Sequence, residues 1–399
     1  MIIRSTDARD PCPSCPSSRR ATLSRPESGT YVSSLFDPYS LADVQLRNRV
    51  VMAPMTRARS YDSIANSVMA DYYSQRATAG LIITEGTPIS PEAQGYAFIP
   101  GIWTSEQVAG WKETTTAVHD RGGRIFCQLW HVGRLSHPSL QPEAQQPVSS
   151  GSLPARDCQI FAYDDDGEVG FINVTDPRPL STDEVGRVTR DYAAGAANAL
   201  DAGFDGVELH AANGYLFEQF LNPGINTRED EYGGSIPNRA RFLLEAVDRV
   251  VEEVGSSRVG VRISPFSGLF DMPAYDEAED TYLYLATELG RRHIAYVHFI
   301  DQNPDGQRLL GPEFLTAFRA RFDGTIILAG ALTGELAQTY VESGLIDLAA
   351  FGQPYIANPD LVERLQNGWP LATPDPLTVY GGVGAEGYSD YPRFDPATV

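Results

Sequence analysis

The sequence predicts an α/β chain folded as a (β/α)8 TIM barrel with an inserted excursion after strand 3. Three observations point there. From Leu35 onward, short apolar runs of strand length alternate with longer amphipathic stretches. The short runs are apolar on both faces, as parallel strands covered on both sides must be. Polar residues and glycines collect where those runs end, and barrels of this kind carry their chemistry at the C-terminal ends of the strands. An open doubly wound sheet is the alternative on pattern alone.

The candidate strands are Arg49–Pro54, Leu81–Thr87, Arg124–His131, Gly206–His210, Val259–Ser264, Tyr296–Ile300, Thr325–Gly330 and Leu348–Gly352. Helix-like segments between them include Ser105–Asp120, Asn238–Val254 and Gly334–Ser343. The segment Ser181–Asp201 opens with Ser181-x-x-Glu184, a capping box, and its apolar positions then recur three and four apart. The stretch from Val132 to Leu180 is too long for a simple barrel loop. It is rich in Pro and Ser, with short alternating pieces such as Gly170–Val174, and reads as a hairpin lid over one mouth of the barrel. Residues 1–34 hold Pro11, Pro13, Pro16 and Pro26 among many Ser and Arg, without apolar periodicity. They read as a disordered N-terminal tail, and residues 35–399 as a single barrel domain.

Composition removes several function classes. The 399 residues carry 31 basic and 52 acidic side chains, for a net charge of −21. That balance argues against nucleic acid, which needs clustered Lys and Arg. Lys112 is the only lysine, so basic work falls to arginine, the better residue for bidentate phosphate or carboxylate contacts. No run of apolar residues is long enough to span a membrane. The opening MIIRSTDARD lacks the apolar stretch of a signal peptide, so a cytoplasmic, reducing location is the expectation. The cysteines are Cys12, Cys15, Cys127 and Cys158. Cys12-x-x-Cys15 has no second pair with ligand spacing, so neither a disulfide scaffold nor a zinc site follows. His131 and His137 lack carboxylate companions, and no metal is expected. Gly382-x-Gly384-x-x-Gly387 spells a dinucleotide fingerprint but follows no strand, so it reads as a loop.

Two groups stand at the strand ends. Arg262, Gly330 and Gly352 fall on strands five, seven and eight. Glycines there let backbone N–H groups approach an anion, which implies a phosphorylated cofactor or substrate. His210, Asn213 and Tyr215 follow strand four. A His beside an Asn can donate two hydrogen bonds to one oxygen, and a nearby Tyr can give a proton. Together they describe a site that polarises a carbonyl and protonates a carbon. Glu208 and Asp205 flank the same strand and read as structural neighbours.

Several stretches resemble one family, the old yellow enzymes, which are FMN-dependent ene-reductases. They are Arg49-Val-Val-Met-Ala-Pro-Met-Thr-Arg57, Ile83-Thr-Glu-Gly-Thr87 and Gln128-Leu-Trp-His-Val-Gly-Arg134. Val207-Glu-Leu-His-Ala-Ala-Asn-Gly-Tyr-Leu216, Asn226-Thr-Arg, Tyr232-Gly-Gly-Ser235 and Ile356-Ala-Asn-Pro-Asp-Leu361 complete the set. The resemblance runs from Leu35 to about Pro392. It implies non-covalent FMN at the C-terminal mouth, with NADPH or NADH as reductant. Pro54, Met55, Thr56 and Gly86 would line the flavin, and Gln128 would bond its pyrimidine edge. Arg262 would face the N1–C2 side or the ribityl region, while Gly330, Gly352 and Gln353 would lie at the phosphate. His210 and Asn213 would bind the oxygen of an enone, enal or nitro compound. Tyr215 would protonate the α-carbon, with Tyr96, Trp130 and Tyr380 shaping the pocket. The chain departs from the family pattern at Gly352-Gln353, where the family has Gly-Arg; Gln cannot form a charge-assisted bidentate pair with phosphate. Weaker FMN retention is the expectation. Two other functions remain open at this level: a desaturase or isomerase of a specialised substrate, and a flavin-free binding or scaffold barrel.

Overall fold

The computed structural model describes residues 34–301, 308–382 and 384–398. Residues 1–33, with Cys12 and Cys15, lie outside the described residues, so the tail reading does too.

Eight parallel strands close into a ring: β1 Val50–Met52, β2 Leu81–Ile83, β3 Ile125–Trp130, β4 Gly206–Ala211, β5 Val259–Ile263, β6 Tyr296–Ile300, β7 Thr325–Ala329 and β8 Leu348–Phe351. Each pairs with its neighbours in sequence order, and β8 pairs with β1. The doubly wound alternative is thereby removed. The outer helices are α1 Ser67–Gln75, α2 Ser105–His119, α3 Thr182–Asp201, α4 Ile236–Val254, α5 Ala278–Arg291, α6 Pro312–Arg319, α7 Gly334–Glu342 and α8 Leu361–Asn367.

The predicted capping box forms. Ser181 accepts from the Glu184 N–H at 3.3 Å, and Glu184 accepts from the Ser181 N–H at 2.8 Å. Such a cap stabilises a helix start by about 1 kcal/mol. The helix then presents Val185, Val188, Tyr192 and Ala196 to the barrel.

Strand periodicity sorts the barrel interior into two levels. Near the bottom, Val51, Leu81, Phe126, Tyr296, Ile327 and Leu348 form an apolar plug. Leu41 and Leu46 close it from below, on the antiparallel hairpin Tyr39–Leu41 with Val44–Leu46. Above the plug, Gln128, Glu208, His210, Arg262 and His298 are all buried, so the upper barrel is polar.

The excursion after β3 contains an antiparallel hairpin, Gln159–Tyr163 with Val169–Asn173. Ile160 and Ala162 face inward and join one apolar cluster with Tyr96, Trp130 and Tyr215. The hairpin is tied down where the Ala97 N–H donates to the Phe161 carbonyl at 2.7 Å. It therefore covers the mouth on the β3–β4 side.

Candidate active site

Strands β3, β4, β5 and β6 bring the polar level together by register. Glu208 stands opposite Gln128, His210 opposite Arg262, and Arg262 opposite His298. The Gln128 amide donates to Glu208 Oε1 at 2.8 Å, and Glu208 Oε2 lies 2.8 Å from His298 Nδ1. Burial works against the Glu208 charge, but His298 and Arg262 outweigh it and hold the carboxyl below its usual range. Burial also drives His298 down, so the pair is a carboxylate accepting an N–H from a neutral ring. Arg262 is buried as well, and its Nε has no hydrogen-bond partner.

His210 ends this row. Its Nδ1 accepts the Ala212 N–H at 3.3 Å. Burial, with Arg262 and His298 adding to it, holds its pKa well below the ordinary histidine value. A neutral ring that accepts at Nδ1 carries its proton on Nε2, and is therefore a donor there. Asn213 has φ +58, a region Asn tolerates better than most residues. Its N–H donates to the Ser264 hydroxyl at 2.7 Å, and its buried Oδ1 has no partner.

Aromatic rings form the wall. Trp130 stacks on Tyr96 at 5.6 Å and 24°, and against His210 at 6.1 Å and 21°. Tyr215 meets Trp130 edge-on at 4.9 Å and His210 at 4.9 Å. Burial, reinforced by Tyr96, pushes the Tyr215 hydroxyl well above its usual range. It stays protonated at neutral pH and available as a proton donor. Gly86 is required by this wall, since a Cβ there would lie 2.4 Å from the Trp130 ring.

The remaining residues singled out by sequence spread around the mouth. Pro54, Met55 and Thr56 follow β1 and are half-buried. Gly330 and Gly352 follow β7 and β8 and are also half-buried. Gly330 has φ +120, and a Cβ there would lie 2.2 Å from the Asp301 carbonyl, so only glycine fits. Gln353 is exposed, at the start of a short helix, Gln353–Ala357. Tyr380 packs against Phe171 of the hairpin at 5.8 Å. His131 and His137 take local roles: His131 accepts from the Gly133 N–H, and His137 caps a 3₁₀ turn. Gly382, Gly384 and Gly387 sit in a loop with positive φ, away from any strand. Among the described residues no cluster of three or more His, Cys, Asp or Glu is placed to hold a metal.

Sequence reasoning passed over three features of this site. Glu208 was read as a structural neighbour, yet it is the centre of the buried row. Phe270 packs 5.8 Å from Tyr215. Arg57 and Arg59 reach the C-terminal segment that carries Tyr380, donating to the carbonyls of Val379 at 2.9 Å and Thr378 at 2.8 Å.

The upper barrel suits a flat, hydrogen-bonding, anionic cofactor. A buried guanidinium with a free Nε, a locked carboxamide and a glycine cradle at β7 are what such a group would meet. Barrels that use this mouth for redox chemistry on a bound nucleotide are the class it belongs to. Comparison with known proteins places the chain within that class: it belongs to the NADH:flavin oxidoreductase / NADH oxidase family, whose model matches residues 34–372. The chain is an oxidoreductase of old yellow enzyme type, with FMN and NAD(P)H as its cofactors. Among curated relatives, 12-oxophytodienoate reductase 1 of Oryza sativa subsp. japonica is 43% identical, over 90% of this chain and 92% of the rice protein. 12-oxophytodienoate reductase 2 of Arabidopsis thaliana is 42% identical, over 90% of this chain and 96% of its own length. Among solved structures, morphinone reductase in complex with tetrahydroNAD has a TM-score of 0.88 at 49% identity, covering 92% of this chain and 99% of that one. The old yellow enzyme homologue from Zymomonas mobilis has a TM-score of 0.85 at 38% identity, covering 91% of this chain and 100% of that one. Among the described residues no helix is long and apolar enough to cross a membrane.

Proposed function

We propose that this protein is an FMN-dependent ene-reductase that saturates the double bond of a small α,β-unsaturated carbonyl or nitro compound at the expense of NADPH or NADH. The observation that carries the reading is the His210–Asn213–Tyr215 arrangement. It sets a neutral imidazole donor and an amide beside a protonated phenol, under one aromatic wall.

Bound at this mouth, FMN would supply the hydride chemistry that links the nicotinamide to the substrate β-carbon. Pro54, Met55, Thr56 and Gly86 would line it, Gln128 would meet its pyrimidine edge, and Gly330, Gly352 and Gln353 would lie at its phosphate. Arg262 supplies a fixed positive charge that favours an anionic reduced ring. His210 Nε2–H and the Asn213 amide hydrogen-bond the substrate oxygen, withdraw electron density and make the β-carbon electrophilic. Tyr215 gives its phenolic proton to the α-carbon. Tyr96, Trp130 and Tyr380 shape the volume that the substrate fills.

The relatives' names point to the same chemistry, since they are reductases of 12-oxophytodienoate and morphinone. A phenol held protonated at the α-carbon side suits saturation better than desaturation, which would need a base there. A flavin-free scaffold would leave Arg262 buried without a ligand to face. We read residues 35–399 as one FMN-binding domain. The described cysteines, Cys127 and Cys158, are free and buried, which suits a reducing cytoplasm.

The test is enone-dependent consumption of NADPH. Turnover with 2-cyclohexenone, giving the saturated ketone, is the expected result. Flavin-loaded protein that oxidises NADPH only with oxygen, and at the same rate with or without enone, would refute the proposal.

A further inference from the structure

Glu218 stands three residues after Tyr215, on the short helix Leu216–Leu221, and is buried. The reaction as proposed does not use it. Its carboxylate nevertheless gathers three hydrogen bonds. Oε2 accepts the Gly214 N–H at 2.7 Å and the Ser264 hydroxyl at 2.8 Å. Oε1 accepts the Tyr282 hydroxyl, from α5, at 3.2 Å. Ser264 in turn accepts the Asn213 N–H at 2.7 Å. One carboxylate therefore holds the Gly214 backbone directly and the Asn213 backbone through a single hydroxyl.

The turn it holds is one that needs holding. Asn213 and Gly214 lie at φ +58 and φ +74, two successive residues in the left-handed region. A non-glycine residue there is strained and persists only where surrounding contacts over-determine it. Asn213 and Tyr215 both project from this turn.

We propose that Glu218, acting through Ser264, is the positioning residue that sets the Asn213 amide and the Tyr215 hydroxyl in register with His210. The inference rests on the ene-reductase reading.

Ordinary helix capping is the competing account, because Glu218 is the third residue of its helix. Capping would be complete with a backbone N–H at the helix start. It does not explain the bonds to Ser264, at the end of β5, or to Tyr282. The titratable groups that face the carboxyl are Tyr282 and Tyr275, and no cation among the described residues perturbs it. The clamp thus requires acceptor oxygen rather than negative charge. Gln offers such an oxygen to Gly214 and Ser264, and an N–H that Tyr282 can accept; Leu offers neither.

The experiment compares wild type, E218Q, E218L and S264A as full-length FMN-loaded proteins. Flavin reduction by NADPH and reoxidation by 2-cyclohexenone are followed anaerobically by stopped flow, with the Kd for tetrahydroNAD and the Tm. A misplacement of about 1 Å can cost up to about a hundredfold in rate. The proposal predicts that E218L loses at least roughly tenfold in reoxidation, that S264A loses less, and that E218Q stays within about threefold of wild type. A folded E218L with a lowered Tm but wild-type reoxidation would overturn it and leave capping alone. Should E218L fail to fold, S264A decides, since it cuts only the link to Asn213; wild-type reoxidation there overturns the proposal. If wild type itself is not reoxidised by the enone, the ene-reductase reading has failed. The clamp is then still tested: the nicotinamide would occupy the same mouth beside Asn213 before the enone does, so the proposal requires weaker tetrahydroNAD binding in S264A, and an unchanged Kd refutes it.

Discussion

Gln128 donates its Nε2–H to Glu208 Oε1 at 2.8 Å, and this bond decides which way the Gln128 carboxamide faces. With the nitrogen committed to a carboxylate, the oxygen is left as the acceptor that the proposed flavin site would use. The same carboxylate is shared with His298 and offsets the charge of Arg262. Orientation of the amide and the balance of charge around Arg262 are therefore set by one buried residue. Glu208→Gln should raise the flavin midpoint potential, because a negative charge near the reduced ring is gone. For a two-electron couple roughly 30 mV corresponds to 1.4 kcal/mol, so a shift of tens of millivolts is expected. Anaerobic titration against a reference dye measures it, and an unchanged potential would contradict this role.

Tyr215→Phe should separate the two half-reactions. The ring and its contacts with Trp130 and His210 are kept, and only the proton is lost. Flavin reduction by NADPH should change little, while reoxidation by an enone slows by about 10²–10⁴. Equal slowing of both steps would show that the hydroxyl acts in binding instead.

His210 should act as a neutral donor at every working pH, since burial holds its pKa well below the ordinary value. His210→Asn retains a donor and cannot titrate. The ratio of wild-type to variant kcat/KM for an enone should therefore stay constant between about pH 5.5 and 8. A ratio that changes across this range would mean the imidazole is protonated there.

Gln353→Arg should tighten FMN. Gln353 is exposed at the mouth beyond β8, and a guanidinium there can pair with phosphate. Hydrogen bonds to charged groups contribute about 1.5–3 kcal/mol, so the Kd for FMN should fall roughly ten- to hundredfold. Fluorescence titration of apoprotein reads this directly. No change would mean that other groups already neutralise the phosphate.

Glu85 should make the protein less stable as pH rises toward neutrality. It is buried after β2, where it accepts from the Tyr73 hydroxyl and the Arg57 N–H, and burial pushes its carboxyl up to about 7. The folded chain thus keeps this proton longer than the unfolded chain does. The resulting stability is complete below about pH 4.5 and is lost as pH rises through about 7. Buried neutral histidines act in the opposite sense, so the term is isolated by comparing wild type with E85Q. The Tm of E85Q relative to wild type should climb by a few degrees from pH 5 to 7.5 and level off above that. A constant difference would show that Glu85 titrates in its ordinary range.

The barrel was legible because each strand is a short, mainly apolar run and each helix carries its own period. Strand ends were less so. The run Leu81–Thr87 reads as one strand, but the strand stops at Ile83. The Glu85 N–H turns instead to the Tyr73 hydroxyl at 2.9 Å, a partner on α1 that no local pattern reveals. The first run likewise stops at Met52, just short of Pro54, which has no N–H to donate. Within the site, His210, Asn213 and Tyr215 could be read together because they share one strand end. The meeting of Gln128, Glu208 and His298 depends on register across four strands, β3 to β6, which local sequence does not specify. Arg57 reaching the Gly387 carbonyl joins residues 330 apart, and only the closed fold brings them together.

The most direct test of the account is the absorption spectrum of purified, desalted protein, recorded anaerobically before and after NADPH and again after 2-cyclohexenone. The account predicts a flavin spectrum that bleaches with NADPH and recovers with the enone. A flavin that bleaches and stays bleached in excess enone would contradict it, because the His210–Asn213–Tyr215 site would then not be one at which an enone accepts hydride.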